Sequence, residues 1–379
     1  MEAQRATDLG ELDIRTAVSS VPVRVSASPE ALDKLANFAF EAHGRYQRVA
    51  SNAVFDIRFT AIAGNRVQVD VVRGSTAILS RAVTGSSMRN ALLKAADVAV
   101  EATGGGKGVF ASKLAFISQR TGQTEVYIGD LFFGEVRQLT SDRAAAMSPK
   151  WTPDGKKLVY TSFHGSVAAD IYQIDLSTMQ RTSFVSFQGT NQGARFSPDG
   201  SKVTMVLSGE GNSEVYVANA NGRGVSRRTR TSGVESSPVF SPDGRQLLFT
   251  SDAAGGPQLY VMPVAGGRMS RLPTNISRYC AEPDWSTGDP SKIAFTMRIG
   301  RGFQIGLFDL KIRKAAVQVS KAPHDAMEPV WLADGRHLLY TARSANQRSI
   351  WLLDTESKKV TRLSASNLES VSQAAVVLP

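Results

Sequence analysis

Cysteine is almost missing from this chain: of 379 residues, only Cys280 is one. That excludes a disulfide framework or a cysteine-based metal centre built within one copy. Long apolar runs are missing too. No stretch of 18 apolar residues occurs, so no membrane-spanning helix is expected. The start, MEAQRATDLGELDIRTAV, is charged and lacks the apolar segment of a secretory signal. Histidine is scarce, and His43, His164, His324 and His337 form no H-x-x-x-H pair. His164 and His324 are read as polar loop residues. No G-x-S-x-G elbow is present. The GGGKG stretch at 104–108 has no Ser or Thr after Lys107 and ends a helix instead of opening one, so it is no phosphate loop. It reads as a hinge between two domains. No catalytic residue, cofactor or metal is assigned.

Charge is present, and it is uneven. Residues 1–104 carry 12 Lys/Arg against 11 Asp/Glu, whereas residues 105–379 carry 32 against 23. The basic excess lies in the second part. It fits a solvated surface or an anionic partner. No base-stacking platform or groove-reading helix accompanies it, so nucleic acid is not expected.

The dominant feature is a repeat. WTPDGKKLVYTS, FSPDGSKVTMVLS, FSPDGRQLLFTS and WLADGRHLLYTA share one turn, and WSTGDPSKIAFTM is a worn copy. Their turn aspartates, Asp154, Asp199, Asp243, Asp289 and Asp334, are spaced 45, 44, 46 and 45 residues apart. A period of this length marks a propeller or a solenoid. Each repeat holds an aromatic residue, a tight turn and several short apolar strands, with nothing helical, which is one four-stranded propeller blade. One period before Asp154, SKLAFIS, TEVYIGD and VRQLT supply outer strands with no inner one. The spacing predicts that Ala374–Leu378 returns as that missing strand and closes a six-bladed ring without an open edge.

The first hundred residues lack the period. SPEALDKLANFAFEAHG predicts a helix capped by Ser28, and SSMRNALLKAADVAVEATGG a second one, capped by Ser86 or Ser87 and stopped at Gly104. Between them, VFDIRFTAIAGNRVQVDVVRG reads as a hairpin and STAILSRAVTG as a third strand. The fold class is therefore mainly β. A flexible segment at 1–20 and a small α/β domain at 21–104 precede a six-bladed β-propeller at 105–379.

Two groups of residues suggest binding. Glu235, Glu282 and Glu328 stand at nearly the same place in successive repeats, where the chain enters an inner strand. They are either acceptors ringing the channel mouth or local hydrogen-bonding groups between blades. Loops on that face, opposite the PDG turns, carry Arg298, Arg301, Arg343 and Arg348, suited to anchoring a protein partner.

EATGGGKGVFASKLAFIS, AMSPKWTPDGKKLVYTS, FSPDGSKV and FSPDGRQLLFTSD resemble, in order, the domain junction and successive blades of the TolB family of the bacterial Tol-Pal envelope system. The resemblance covers roughly residues 50–379. It implies a non-enzymatic periplasmic protein, its signal absent from this chain, that docks a Pal-like peptidoglycan-associated lipoprotein at the propeller mouth. It also implies a TolA-like inner-membrane partner, although the family's N-terminal segment for that contact is not recognisable in residues 1–18. The expected docking residues are those entering the inner strands: Met147 and Ser148, Asn191 and Gln192, Glu235 and Ser236, Cys280 and Glu282, Met327 and Glu328. The competing readings are a propeller lyase or hydrolase of acidic oligosaccharides and an anion-binding module.

Overall fold

The computed structural model describes residues 20–312 and 314–378. The segment expected to be flexible at 1–20, and with it any contact site for an inner-membrane partner, lies outside the described residues apart from Ser20.

The α/β part opens on β1 (Val21–Ser28), α1 (Glu30–Ala42) and β2 (Tyr46–Arg48). It continues through β3 (Phe55–Ile62), β4 (Arg66–Arg73), β5 (Thr76–Thr84) and α2 (Met88–Ala102). The five strands form one sheet in the order β2-β1-β3-β4-β5. The alternation in β4, with Val67, Val69 and Val71 fully buried, puts one face of the sheet on a core. The helices cover that face with Leu32, Leu35, Ala36 and Phe40 from α1, and with Leu92, Leu93, Ala96 and Val100 from α2. Ser87 does cap α2, its side chain accepting from the Asn90 N–H at 3.0 Å. Ser28 does not cap α1. The N-cap position is Pro29, which has no side-chain acceptor, and the nearby Asp33 carboxylate accepts the Ala27 N–H at 2.7 Å and ties the helix back to β1. Strands β1 and β2 were not expected, and their place in the sheet is set by parallel pairing with each other and of β1 with β3.

Helix α2 ends at Thr103, and Gly104 takes the left-handed φ of +72° that a stop requires. The following GGGKG is packed rather than loose. A Cβ on Gly105 would lie 2.4 Å from the Tyr46 hydroxyl, and one on Gly108 would strike Asp97 at 2.3 Å. Asp97 also accepts the Phe110 and Ala111 N–H groups at 2.6 and 3.0 Å. The expected hinge is thus a clamp. Directly after it, Val109, Phe110 and Ala111 join a single apolar core that runs from α1 and α2 through Phe132 into Leu332, Leu339, Ile350 and Val371 of the propeller.

Six four-stranded antiparallel sheets follow. The inner strands are Val371–Val377 (blade 1), Ala146–Trp151 (blade 2), Asn191–Phe196 (blade 3), Glu235–Phe240 (blade 4), Cys280–Trp285 (blade 5) and Asp325–Trp331 (blade 6). Blade 1 joins the two ends of the propeller: Val371–Val377 pairs antiparallel with Lys113–Ser118. The ring is closed as the period predicts, with the strand starting three residues earlier than expected. Buried apolar residues such as Trp151, Leu158, Tyr160 and Ala375 fill the gap between blades 1 and 2, and similar clusters fill the others. A single blade could not bury both its faces, which is why the chain repeats.

Candidate functional site at the propeller mouth

Every inner strand carries a bulge. The register against the second strand slips at the same point in each blade. The residue there has positive φ: Gln373, Ser148, Gly193, Ser237, Glu282 and Glu328, from +51° to +68°. Five of these are not glycine, so the ring accepts a left-handed backbone in exchange for aiming one residue per blade at the axis. All six line a cavity of about 210 Å³ that opens at the mouth.

Side chains here connect one blade to the next. Glu282 Oε2 accepts from Thr296 Oγ1 at 2.6 Å and from the Glu328 N–H at 3.1 Å. Glu328 Oε2 accepts from Thr341 Oγ1 at 2.8 Å and from the Gln373 N–H at 3.2 Å. Gln373 Oε1 in turn accepts the Ser148 N–H at 2.7 Å. The bulge N–H groups of Glu328, Gln373 and Ser148 are thus taken by the blade before each, and Thr161 and Thr250 do the same for Gly193 and Glu282. The glutamates are therefore both interblade staples and mouth residues. Burial, followed by the neighbouring Glu328 charge, raises the Glu282 pKa above the usual carboxylate range.

Two residues further in, the position reads Ala375, Lys150, Arg195, Val239, Asp284 and Val330. Arg195 of blade 3 reaches across to Asp284 of blade 5 at 2.9 Å. Arg195 and Lys150 border both the mouth cavity and a second cavity of about 250 Å³ on the PDG-turn side, which Asp284 also lines. Burial, then the Arg195 charge, brings Lys150 down to about 7. The mouth thus combines carboxylates on blades 5 and 6 with cations on blades 2 and 3. Sequence reading missed Lys150, Arg195 and Asp284, because the position alternates between charged and apolar residues and shows no consensus.

The expected docking residues separate into two sets. Ser148, Gln192, Ser236, Glu282 and Glu328 line the mouth cavity. Met147 and Met327 are half-buried at the starts of their inner strands. Asn191, Glu235 and Cys280 are fully buried between blades. Glu235 is not the counterpart of Glu282 and Glu328. Pairing with Ser251 puts it level with Cys280, which pairs with Met297, and two residues before the bulge at Ser237. Its carboxylate accepts from Ser251 Oγ at 2.6 Å and Thr231 Oγ1 at 2.9 Å.

Glu235 faces Glu214 of blade 3, itself paired with Arg227 at 2.5 Å. Burial first, and the Glu214 interaction next, push Glu235 up to about 7. The native state therefore holds a proton on Glu235 that the unfolded chain, titrating near 4.3, has released. That stability is complete below about pH 4 and is lost as pH rises through 7. We expect the Glu235→Gln variant, followed by thermal melting from pH 5 to 8, to lose a decline worth roughly 3 kcal/mol in the parent protein.

Outside the cavity, blades 5 and 6 build a raised anchor. Tyr279 meets the Phe303 ring edge-on at 5.2 Å, and the Arg343 guanidinium lies over Phe303 at 5.9 Å. Arg343 is held by Asp325 Oδ2 at 2.7 Å, and Asp325 Oδ1 accepts the Phe303 N–H at 2.9 Å. Arg298, Arg301 and Arg348 are exposed on the flanking hairpins. Phe187 and Val234, about half exposed, continue the rim on other blades. His164 lies against Arg181 at 2.8 Å. Among the described residues, neither His164 nor His324 joins a metal-type cluster.

Comparison with known proteins agrees with this architecture. The chain is 30% identical over 179 residues to the Tol-Pal system protein TolB of Desulfotalea psychrophila, covering 46% of this chain and 38% of that one. It is 33% identical over 140 residues to a TolB homolog of Chlorobium chlorochromatii, covering 37% and 31%. The alignments thus span about a third of these relatives' lengths. The crystal structure of TolB from Acinetobacter baumannii has the same fold, with a TM-score of 0.85 at 23% identity, covering 95% of this chain and 97% of that one. Residues 100–375 match the family model described as the TolB beta propeller domain, and the chain belongs to that family.

Proposed function

We propose that this protein is a non-enzymatic, periplasmic component of a Tol-Pal envelope system, and that its propeller mouth docks a segment of a Pal-like lipoprotein. The α/β domain relays occupancy to an inner-membrane partner, and the assembly helps keep the outer membrane intact during division. Family membership supports the system, and the name of the Desulfotalea psychrophila relative supports it independently. The observation that carries the docking reading is the mouth itself: a recessed polar cavity beside the Tyr279–Phe303–Arg343 anchor. A rigid aromatic–arginine cluster next to a socket is the arrangement in which interface hot spots concentrate. The carboxylates of Glu282 and Glu328 favour donors from the inserted segment. Continuity of the core between α/β domain and blades 1 and 6 gives the relay a mechanical route. No helix among the described residues is long and apolar enough to cross a membrane.

Calorimetric titration of the full chain with the soluble domain of the source organism's Pal-like lipoprotein tests this. Tyr279→Ala combined with Phe303→Ala should weaken binding by about 30-fold, the size of one hot-spot loss, with the melting transition kept. Absence of binding, or binding unchanged in the variant, would remove the mouth from the account.

A further inference from the structure

Where α1 docks on the propeller, a cluster of chemistry-bearing side chains is unused by the docking mouth. His43 caps α1 and is 1% exposed, and neither of its ring nitrogens has a hydrogen-bond partner. Burying an imidazole with both nitrogens unsatisfied is costly. Its ring sits 4.5 Å from that of His337, nearly perpendicular to it. His337 is equally buried at the start of the second strand of blade 6, His337–Arg343. Its Nε2 lies 2.7 Å from the His43 carbonyl oxygen, and its Nδ1 lies 2.5 Å from Asp334 Oδ2. One donor atom from each of His43, Asp334 and His337 falls within 4.8 Å of the others.

We propose that His43, Asp334 and His337 form a binding site for a first-row divalent transition ion, with Zn²⁺ the expected occupant, which pins the α/β domain to blade 6. Two imidazole nitrogens and one carboxylate oxygen form a donor set suited to that ion. The site also has its outer support. The His337 Nε2–H donates to the His43 carbonyl, which fixes the ring orientation and leaves Nδ1 sharing a single proton with Asp334. A metal at about 2.0–2.1 Å from each donor would take the place of the proton between Nδ1 and Oδ2, and that proton leaves to solvent. The Nδ1–Oδ2 separation then opens to roughly 3.3 Å, the edge of a tetrahedral ion's donor shell. His43 turns one lone pair to the ion, which gives its unpartnered ring a role. Charge balance favours a cation. Asp334 lies against His337, and the nearby Arg336 is already engaged by Asp354 at 2.6 Å and Glu356 at 2.7 Å.

The test uses the full chain, stripped with EDTA and dialysed. Calorimetric titration with ZnCl₂ should show one equivalent bound, and the thermal midpoint should rise with Zn²⁺. Co²⁺ should give the visible absorption of a low-symmetry nitrogen–oxygen site. His43→Phe, whose ring can pack against Phe110 and Tyr46, should lose both the equivalent and the Zn²⁺-dependent midpoint. Its metal-free midpoint should match or exceed that of the parent, because the buried unpaired nitrogens are gone. Asp334→Asn should lower Zn²⁺ affinity more than about tenfold and provides the same readout if His43→Phe misfolds. A protein lacking the loop histidines, His164→Ala with His324→Ala, should bind as before. Either of two results overturns the site: no stoichiometric binding by the stripped parent, or undiminished binding by the His43 and Asp334 variants.

Discussion

Truncation after Ser370 should abolish cooperative unfolding. The lost strand is the inner strand of blade 1, and every other described strand already has its place in a sheet. Val371 is fully buried, and Ala374 and Ala375 nearly so. The Ala375 carbonyl accepts the Trp151 indole N–H at 3.2 Å, which binds the closing strand to blade 2. Gln373 ties it to Glu328 of blade 6 and to Ser148 of blade 2. Without it, Lys113–Ser118 becomes an open edge, and two interblade cores are exposed at once. The sum exceeds the about 5–15 kcal/mol that holds a typical domain together. Circular dichroism melting should show a broad, non-cooperative loss of strand signal. Val371→Asp, which buries a lone carboxylate at the same seam, should cost about 4 kcal/mol or more. A truncated chain melting within a few degrees of the parent would mean that the ring does not depend on its closure.

Arg336→Ala should be the most damaging single change at the domain interface. Its guanidinium grips Asp354 with two bonds, at 2.9 and 2.6 Å, and Asp354 is fully buried. Removing the arginine leaves that carboxylate without its countercharge, a loss of about 3–5 kcal/mol. Asp354 also holds the Glu356 N–H and Ser357 Oγ, so the error spreads through the turn that receives Gly44. Replacing both partners together, Arg336→Met with Asp354→Leu, removes the stranded charge and should recover much of the loss. Urea unfolding of the three variants measures this. A double variant no more stable than Arg336→Ala would assign the effect to packing instead of charge.

Much of the ring was legible because a propeller repeats its physics. A tight turn, a buried aromatic and alternating strands recur every blade, so the period and the closing strand follow from spacing alone. The mouth was less legible, since its geometry depends on the bulge, and the bulge changes which residue faces the axis. Glu235 was grouped with Glu282 and Glu328 by its place near the strand start. Counting back from the proline that follows the bulge separates them: Pro283 and Pro329 directly follow their glutamates, whereas Pro238 follows Ser237. The α/β sheet lost two strands in the reading. VPVRVSAS does alternate like a strand, with Val21, Val23, Val25 and Ala27 at every second position, a signal left unused before the first helix, and YQR is too short to carry a pattern. Contacts such as His43 with His337 join residues 294 positions apart and have no sequence signature.

The central claim, that the mouth of this closed wheel is where a partner segment docks, is tested most directly by hydrogen–deuterium exchange with and without the soluble Pal-like domain. The account predicts slower exchange on binding at the hairpin around 298–303, at 343–348, and at the starts of the inner strands of blades 5 and 6. Protection confined to the exposed edge strand Thr76–Thr84 or to the PDG-turn side, with the mouth unchanged, would contradict it.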